Sequence, residues 1–216
     1  MNDHFSVKIA FRANNQNIIM RKRFIIILVF FICNLYSQDY KKINEVINIS
    51  DSLTFTKELR IYKHFSTSNA SEVFRIYQLK DKTWKIELYK FYDALSSNEK
   101  PKFTLESLNS DSNLNQYWTR ILDTHAEFLS DIKAIDYKLK GKTIFESDKD
   151  DYGSSKKVVF TDGIGYMAFI RNYDKVNKFS FANAEGYLEY FPDVDELNSY
   201  SSLLNLIRTQ FNIWKD

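Results

Sequence analysis

Glu72-Val73-Phe74-Arg75-Ile76-Tyr77, followed by Leu79-Lys80-Asp81-Lys82-Thr83 and then by Trp84-Lys85-Ile86-Glu87-Leu88-Tyr89, is the stretch that decides the fold. The first run is β-branched and aromatic, which suits a strand. In the last run Trp84, Ile86 and Leu88 alternate with Lys85, Glu87 and Tyr89. A period of two places one set on the core and the other in water. The polar residues between the runs read as a hairpin turn. Register follows from the apolar set, because a slip of one residue would expose Trp84. Leu59-Arg60-Ile61-Tyr62-Lys63 alternates in the same way and extends the hairpin into a meander over residues 59–92.

Outward from the meander, Ile43, Val46 and Ile47 have the spacing of a short leading helix. Residues 93–110 read as a polar link with Pro101 and a short run, Phe103-Thr104-Leu105, inside it. Leu114, Trp118, Ile121, His125 and Phe128 then form one stripe of a helix, with Asp111 or Ser112 as its cap. Ile135, Tyr137 and Leu139 alternate and predict a strand before Gly141. Val158-Val159-Phe160-Thr161, the turn Asp162-Gly163 and residues 166–170 predict a hairpin whose glycine takes a positive φ. A turn over 172–175 leads to a further strand at 178–181. Asp193 and Glu196 predict a capping box for a last helix, striped by Leu197, Tyr200, Leu204, Ile207, Phe211 and Trp214. Strands and helices are segregated and the strand links are short. The expected fold is therefore α+β: an antiparallel sheet of hairpins and meanders packed by two amphipathic helices, about 114–128 and 194–214. With no linker rich in Gly, Pro or Ser, residues 38–216 read as a single domain.

Near the N-terminus, Arg21-Lys22-Arg23 leads into Phe24-Ile25-Ile26-Ile27-Leu28-Val29-Phe30-Phe31-Ile32. A basic cluster before a short apolar run is the layout of a secretory signal peptide. The run is shorter than the about 20 residues that span a bilayer. Residues 20–37 are the expected signal, cut between Ser37 and Gln38. Met20 stands at the basic cluster, so residues 1–19 read as an upstream extension before the true start. Cys33 offers a second ending, in which the cysteine is lipidated and anchors the protein; Ile32 before it departs from the small residue such a signal places there. Tyr36-Ser37-Gln38 and a body rich in Lys, Asn, Ile and Tyr resemble uncharacterised exported proteins of Bacteroidota, of flavobacterial type. Phe179-Ser180-Phe181, Tyr187-Leu188 and the run from Phe191 to Leu197 resemble the tail of such proteins. The resemblance implies an exported protein and carries no activity.

Cleavage after Ser37 removes 37 of 216 residues and leaves 179. It takes away Lys8, Arg12, Arg21, Lys22 and Arg23 against Asp3, so the net charge moves from +2 to −2. Such a charge gives no case for nucleic acid, which wants a strongly basic domain. Cys33 is the sole cysteine and leaves with the signal, so stability must come from packing and not from disulfides. Aromatics at 16% with only five Gly and two Pro describe an ordered, well-packed chain.

Candidate chemistry is sparse. Asp123, His125 and Glu127 would share a face on a strand, where they could hold a metal or pair His with a carboxylate. On a helix, residues two apart diverge by about 200°, and the stripe through His125 favours that reading. Asp148, Asp150 and Gly153 resemble part of a calcium loop, with Tyr152 and Val159 in place of two of its acids. No Gly-x-Ser-x-Gly or phosphate-binding glycine motif is present, and no cofactor is implied. Tyr62-Lys63, Tyr89-Lys90-Phe91-Tyr92 and Tyr137-Lys138-Leu139-Lys140 interleave Tyr and Lys, a pattern that stacks sugars or covers a solvated strand face. The leading expectation is an exported, non-catalytic interaction or ligand-binding protein of the bacterial cell envelope. Its partner would be an envelope protein or glycan, and it would meet the membrane through its export signal or a lipid on Cys33. The alternative is an envelope hydrolase using carboxylates with His125.

Overall fold

A computed structural model of the protein describes residues 40–140 and 163–214. The signal expected at 20–37, with Met20 and Cys33, and likewise residues 158–161, Asp148 and Asp150, lie outside the described residues. The chain divides at Glu45/Val46 into two units. Of the first, the structure describes residues 40–45, which are helical; the helix, α1, runs over 40–46. Everything below concerns the second unit.

Six strands form one antiparallel sheet: β1 (Lys57–Phe65), β2 (Ala70–Gln78), β3 (Trp84–Tyr92), β4 (Lys102–Ser107), β5 (Ile164–Asn172) and β6 (Lys175–Ala182). Their spatial order is β4-β3-β2-β1-β5-β6. The meander β1-β2-β3 is the one its alternation predicts, and Ile76 faces Ile86 across it. Leu79 N–H donates to Thr83 O at 2.8 Å to close the β2-β3 turn, and Lys82 takes φ 67° there. The α+β class and antiparallel pairing are as expected.

Helices α2 (Leu114–Asp123), α3 (Ala184–Tyr190) and α4 (Asp195–Phe211) complete the unit, with a 3₁₀ turn at Ile132–Ile135. The core lies between one sheet face and the stripes of α2 and α4. Leu59, Ile61, Phe74, Ile76, Ile86 and Leu88 meet Ala168, Ile170, Phe179 and Phe181 on that face. From above come Tyr117, Trp118 and Ile121 of α2 and Leu197, Tyr200, Leu203, Leu204, Ile207 and Phe211 of α4. Aromatic rings carry much of the contact. Tyr200 stacks on Phe181 at 4.6 Å, Phe211 approaches Phe74 at 5.3 Å, and Trp118 approaches Trp84 at 5.4 Å.

Four expectations are corrected, and a fifth lies partly outside the described residues. The helix read over 114–128 stops at Asp123, capped by Asn113, whose Oδ1 accepts the Asn115 and Gln116 N–H groups. Asp193 does not cap α4: Val194 holds the cap position with no side-chain bond, and Glu196 is turned to Lys138 Nζ at 2.6 Å. The chain beyond Phe211 leaves the helix through Asn212 at φ 57°, which folds Trp214 back over Phe74 and Tyr166. The strand read from Ile135, Tyr137 and Leu139 is a 3₁₀ turn with further turns, and Ile135 and Leu139 are buried at a helical spacing of four. The strand read at 166–170 is β5, whose described partners are β1, over Ile164–Asn172, and β6, over Gly165–Asn172; residues 158–161, its expected hairpin partner, lie outside the described residues.

Gly163 also differs in its reason. No described glycine has a positive φ. A Cβ at Gly163 would stand 2.1 Å from Asn183 Oδ1, so the position needs space and not a left-handed backbone. Two elements went unread: β4, inside the polar link, and α3.

Candidate functional site

The Asp123–His125–Glu127 set sits where α2 ends. Thr124 N–H and His125 N–H close the last turn on the Ile121 and Leu122 carbonyls at 3.2 and 2.8 Å. His125 takes φ 60°, the left-handed conformation that ends helices. The stripe therefore breaks before His125 and Phe128, and both are exposed while Ala126 and Leu129 turn inward. Asp123 and His125 line an open groove of about 650 Å³ whose other wall is the outer face of α4, with Asn198, Ser202 and Asn205. Glu127 is not in it: its Oε1 accepts from Asn172 Nδ2 on β5 at 3.1 Å. The three side chains thus fail to converge. His64 pairs with Ser71 Oγ at 3.1 Å on the sheet. Among the described residues no group of three or more His, Cys, Asp or Glu is placed to hold a metal.

The sheet face away from α2 and α4 carries the densest polar chemistry, and it is not the solvated face that alternation predicts. Glu58, Arg60 and Arg75 are buried there, with Tyr62, Tyr77 and Tyr89. Glu58 Oε1 accepts from Arg60 Nε at 2.6 Å and from Arg75 Nε at 2.9 Å. Its Oε2 accepts the Thr54 and Phe55 backbone N–H groups at 2.7 and 3.0 Å. Arg60 spends its remaining donors on the Ser50 and Ser52 carbonyls, which fastens residues 50–55 across the sheet. Phe55 stacks on Tyr77 at 4.3 Å to complete that cover. Glu87 accepts from Tyr77 at 3.0 Å and Tyr89 at 2.8 Å, and stands 3.5 Å from Arg75 Nη1.

Burial pushes the Glu58 carboxyl up, but the Arg60 and Arg75 guanidiniums and the Phe55 N–H outweigh it and hold the group below its ordinary value. Burial and the Glu87 carboxylate push the Tyr77 hydroxyl up to about 12. Two carboxylates balance two guanidiniums, and four donors engage the Glu58 oxygens. The arrangement is a closed joint between three strands and their covering loop; Glu58 has no free oxygen with which to take a substrate proton. Its trace in the sequence is Glu58-x-Arg60 with Arg75 and Glu87, charges of balanced sign at alternate positions of strands whose other positions are apolar. Burial on this face removes Tyr62, Tyr89 and Phe91 from any sugar-stacking surface, and Lys63 is buried on the opposite face beside Trp214, while Tyr92 and Tyr137 stay exposed.

The two sheet edges differ. On β6, Asp131 Oδ1 accepts the Ser180 N–H at 2.6 Å and its hydroxyl at 2.7 Å, and Asn177 Nδ2 reaches the Ala126 and Leu129 carbonyls. That edge is covered. On β4 all six residues are exposed, including Phe103 and Leu105 at 42% and 50%. Among the described residues no strand pairs with its outer side. Leu108 N–H donates to Ile86 O at 3.0 Å in register with the ladder, so even-numbered residues turn their backbone groups to β3. Phe103, Leu105 and Ser107 turn theirs outward. Sequence reasoning found the apolar run at 103–105 and missed that it is an edge strand.

Compared with protein families, with curated proteins and with solved structures, the chain matches none. Among the described residues no helix is long and apolar enough to cross a membrane.

Proposed function

We propose that the chain is an exported, non-catalytic interaction protein of the bacterial cell envelope, and that β4 is the element through which it binds. Export rests on the sequence at 20–37 and the resemblance it carries. The open β4 edge carries the binding reading. Three outward N–H and C=O pairs at alternate residues of an unpaired edge form a template for an added strand, and main-chain bonds supply affinity while side-chain pockets supply choice. Phe103 and Leu105 stand on one face of that edge, where an added strand would bury them. The contrast with the β6 edge, closed by Asp131, supports a particular use for the open one. Hydrogen exchange at the Phe103, Leu105 and Ser107 amides, followed from dilute to concentrated protein and then with an envelope extract of the producing cell, tests the reading: slowing under either condition supports it, and exchange that stays fast under both sinks it.

A second reading, an envelope hydrolase using carboxylates with His125, draws on the placement of Asp123 and His125 in one groove. It lacks the second carboxylate, since Glu127 faces Asn172. His125→Ala and Asp123→Asn should leave any hydrolytic activity of the preparation intact if the first reading holds.

A further inference from the structure

We infer that the occupant of the β4 edge is a second copy of the same strand, paired antiparallel about Thr104 to make one continuous sheet through two molecules. The inference rests on the reading of β4 as a binding edge. It adds the partner and the register.

The argument is one of self-complementarity. In an antiparallel pair of identical strands, a two-fold axis perpendicular to the sheet sets residue i against a fixed partner and keeps faces matched. Ladder bonds across the new seam require the outward residues, Phe103 and Leu105, to stand opposite outward residues. With the axis at Thr104, Phe103 faces Leu105 of the other copy, twice, and both pairs lie on the same face. On the other face Lys102 faces Glu106 of the other copy, again twice. Apolar meets apolar and each charge meets its opposite. Shifting the axis to Leu105 keeps the backbone bonds but sets Phe103 against Ser107 and Lys102 against Leu108. Shifting it to Phe103 moves Pro101, which has no N–H to donate, from opposite the end residue Ser107 to opposite Leu105, and sets Lys102 against Thr104. The register about Thr104 is thus the one in which charge and apolarity both match. Lys102 and Glu106 are both exposed in the single chain and can reach across the seam. Charged side chains on an edge ordinarily oppose association; here the two charges have opposite sign and sit symmetrically about the centre, so the pairing matches them.

The test is the oligomeric state of charge-reversed variants. The purified full chain should show a concentration-dependent dimer in sedimentation equilibrium. Lys102→Glu alone puts Glu against Glu twice, and Glu106→Lys alone puts Lys against Lys twice. Each should weaken the dimer roughly tenfold or more, as two opposite-charge pairs become like-charge pairs. Mixing the two single variants should restore dimer, because every cross pair is again Glu with Lys; the double variant Lys102→Glu with Glu106→Lys should also dimerise. Leu105→Pro serves as a second probe. Its N–H points outward, so the monomer keeps its ladder to β3 while the seam loses two donors, and the dimer should be lost. A dimer indifferent to both reversals would overturn the inference. A chain that stays monomeric at every concentration would overturn it too, and would leave the edge reading to the exchange test with extract.

Discussion

Glu58 accepts the Arg60 Nε–H at 2.6 Å with both side chains withdrawn from solvent, at 0% and 1% exposure. The pair sits on the sheet face that alternation assigns to water. It holds residues 50–55 down over β1 and β2, so these two strands are buried on both faces. Glu58→Ala should destabilise the fold by about 3–5 kcal/mol, because it leaves two guanidiniums facing an empty carboxylate site. Denaturant melts against the parent chain measure the difference.

The same carboxylate fixes a pH dependence. Glu58 is held below its ordinary value of 4.5 in the folded chain. A carboxyl depressed on folding contributes stability above its unfolded value and loses it as pH falls through the folded value. The unfolding midpoint should therefore fall as the medium is acidified below pH 4.5. Glu58→Gln should show a shallower fall, since it carries no titrating group there; parallel profiles for the two chains would contradict the assignment.

Leu204 is fully buried mid-stripe in α4. Leu204→Ala should cost about 2–5 kcal/mol, the range for emptying a core leucine. Asp193 is exposed and makes no cap, so Asp193→Ala should stay within about 0.5 kcal/mol, as exposed substitutions do. Thermal or denaturant unfolding of both variants gives the order, and a comparable loss in each would show that Asp193 caps the helix after all.

These two variants mark the limit of the sequence. The stripe of α4 was legible because Leu197, Tyr200, Leu204, Ile207 and Phe211 repeat at the helical period over about four turns, more than any accident of spacing gives. The cap was not, because Pro192-Asp193 fits a capping box locally and only the bond from Lys138 shows where Glu196 goes. At α2 the period ran on through His125 and Phe128, while the left-handed turn that stops the helix at Asp123 has no glycine to announce it. β4 was hidden by its short length and its charged ends. The buried network was hidden for a different reason: charges at alternate strand positions look like a solvated face unless a covering loop is known.

His125 offers a check on that helix end. A left-handed backbone costs a side-chain-bearing residue about 1–2 kcal/mol, and glycine's extra unfolded freedom returns about 0.5–1 kcal/mol. His125→Gly should thus stabilise by about 0.5–1 kcal/mol. A helix continuing through residue 125 would instead be weakened by glycine, so the sign of the change in unfolding midpoint decides.

The open edge is the central claim, and amide hydrogen exchange along β4 in the monomeric chain tests it most directly. Thr104 and Glu106 amides, bonded to β3, should exchange slowly, and Phe103, Leu105 and Ser107 amides should exchange fast. Under conditions where the chain pairs, the fast set should slow while the slow set holds. Uniform protection along β4 in the monomer, or a fast set that no partner slows, would contradict the account.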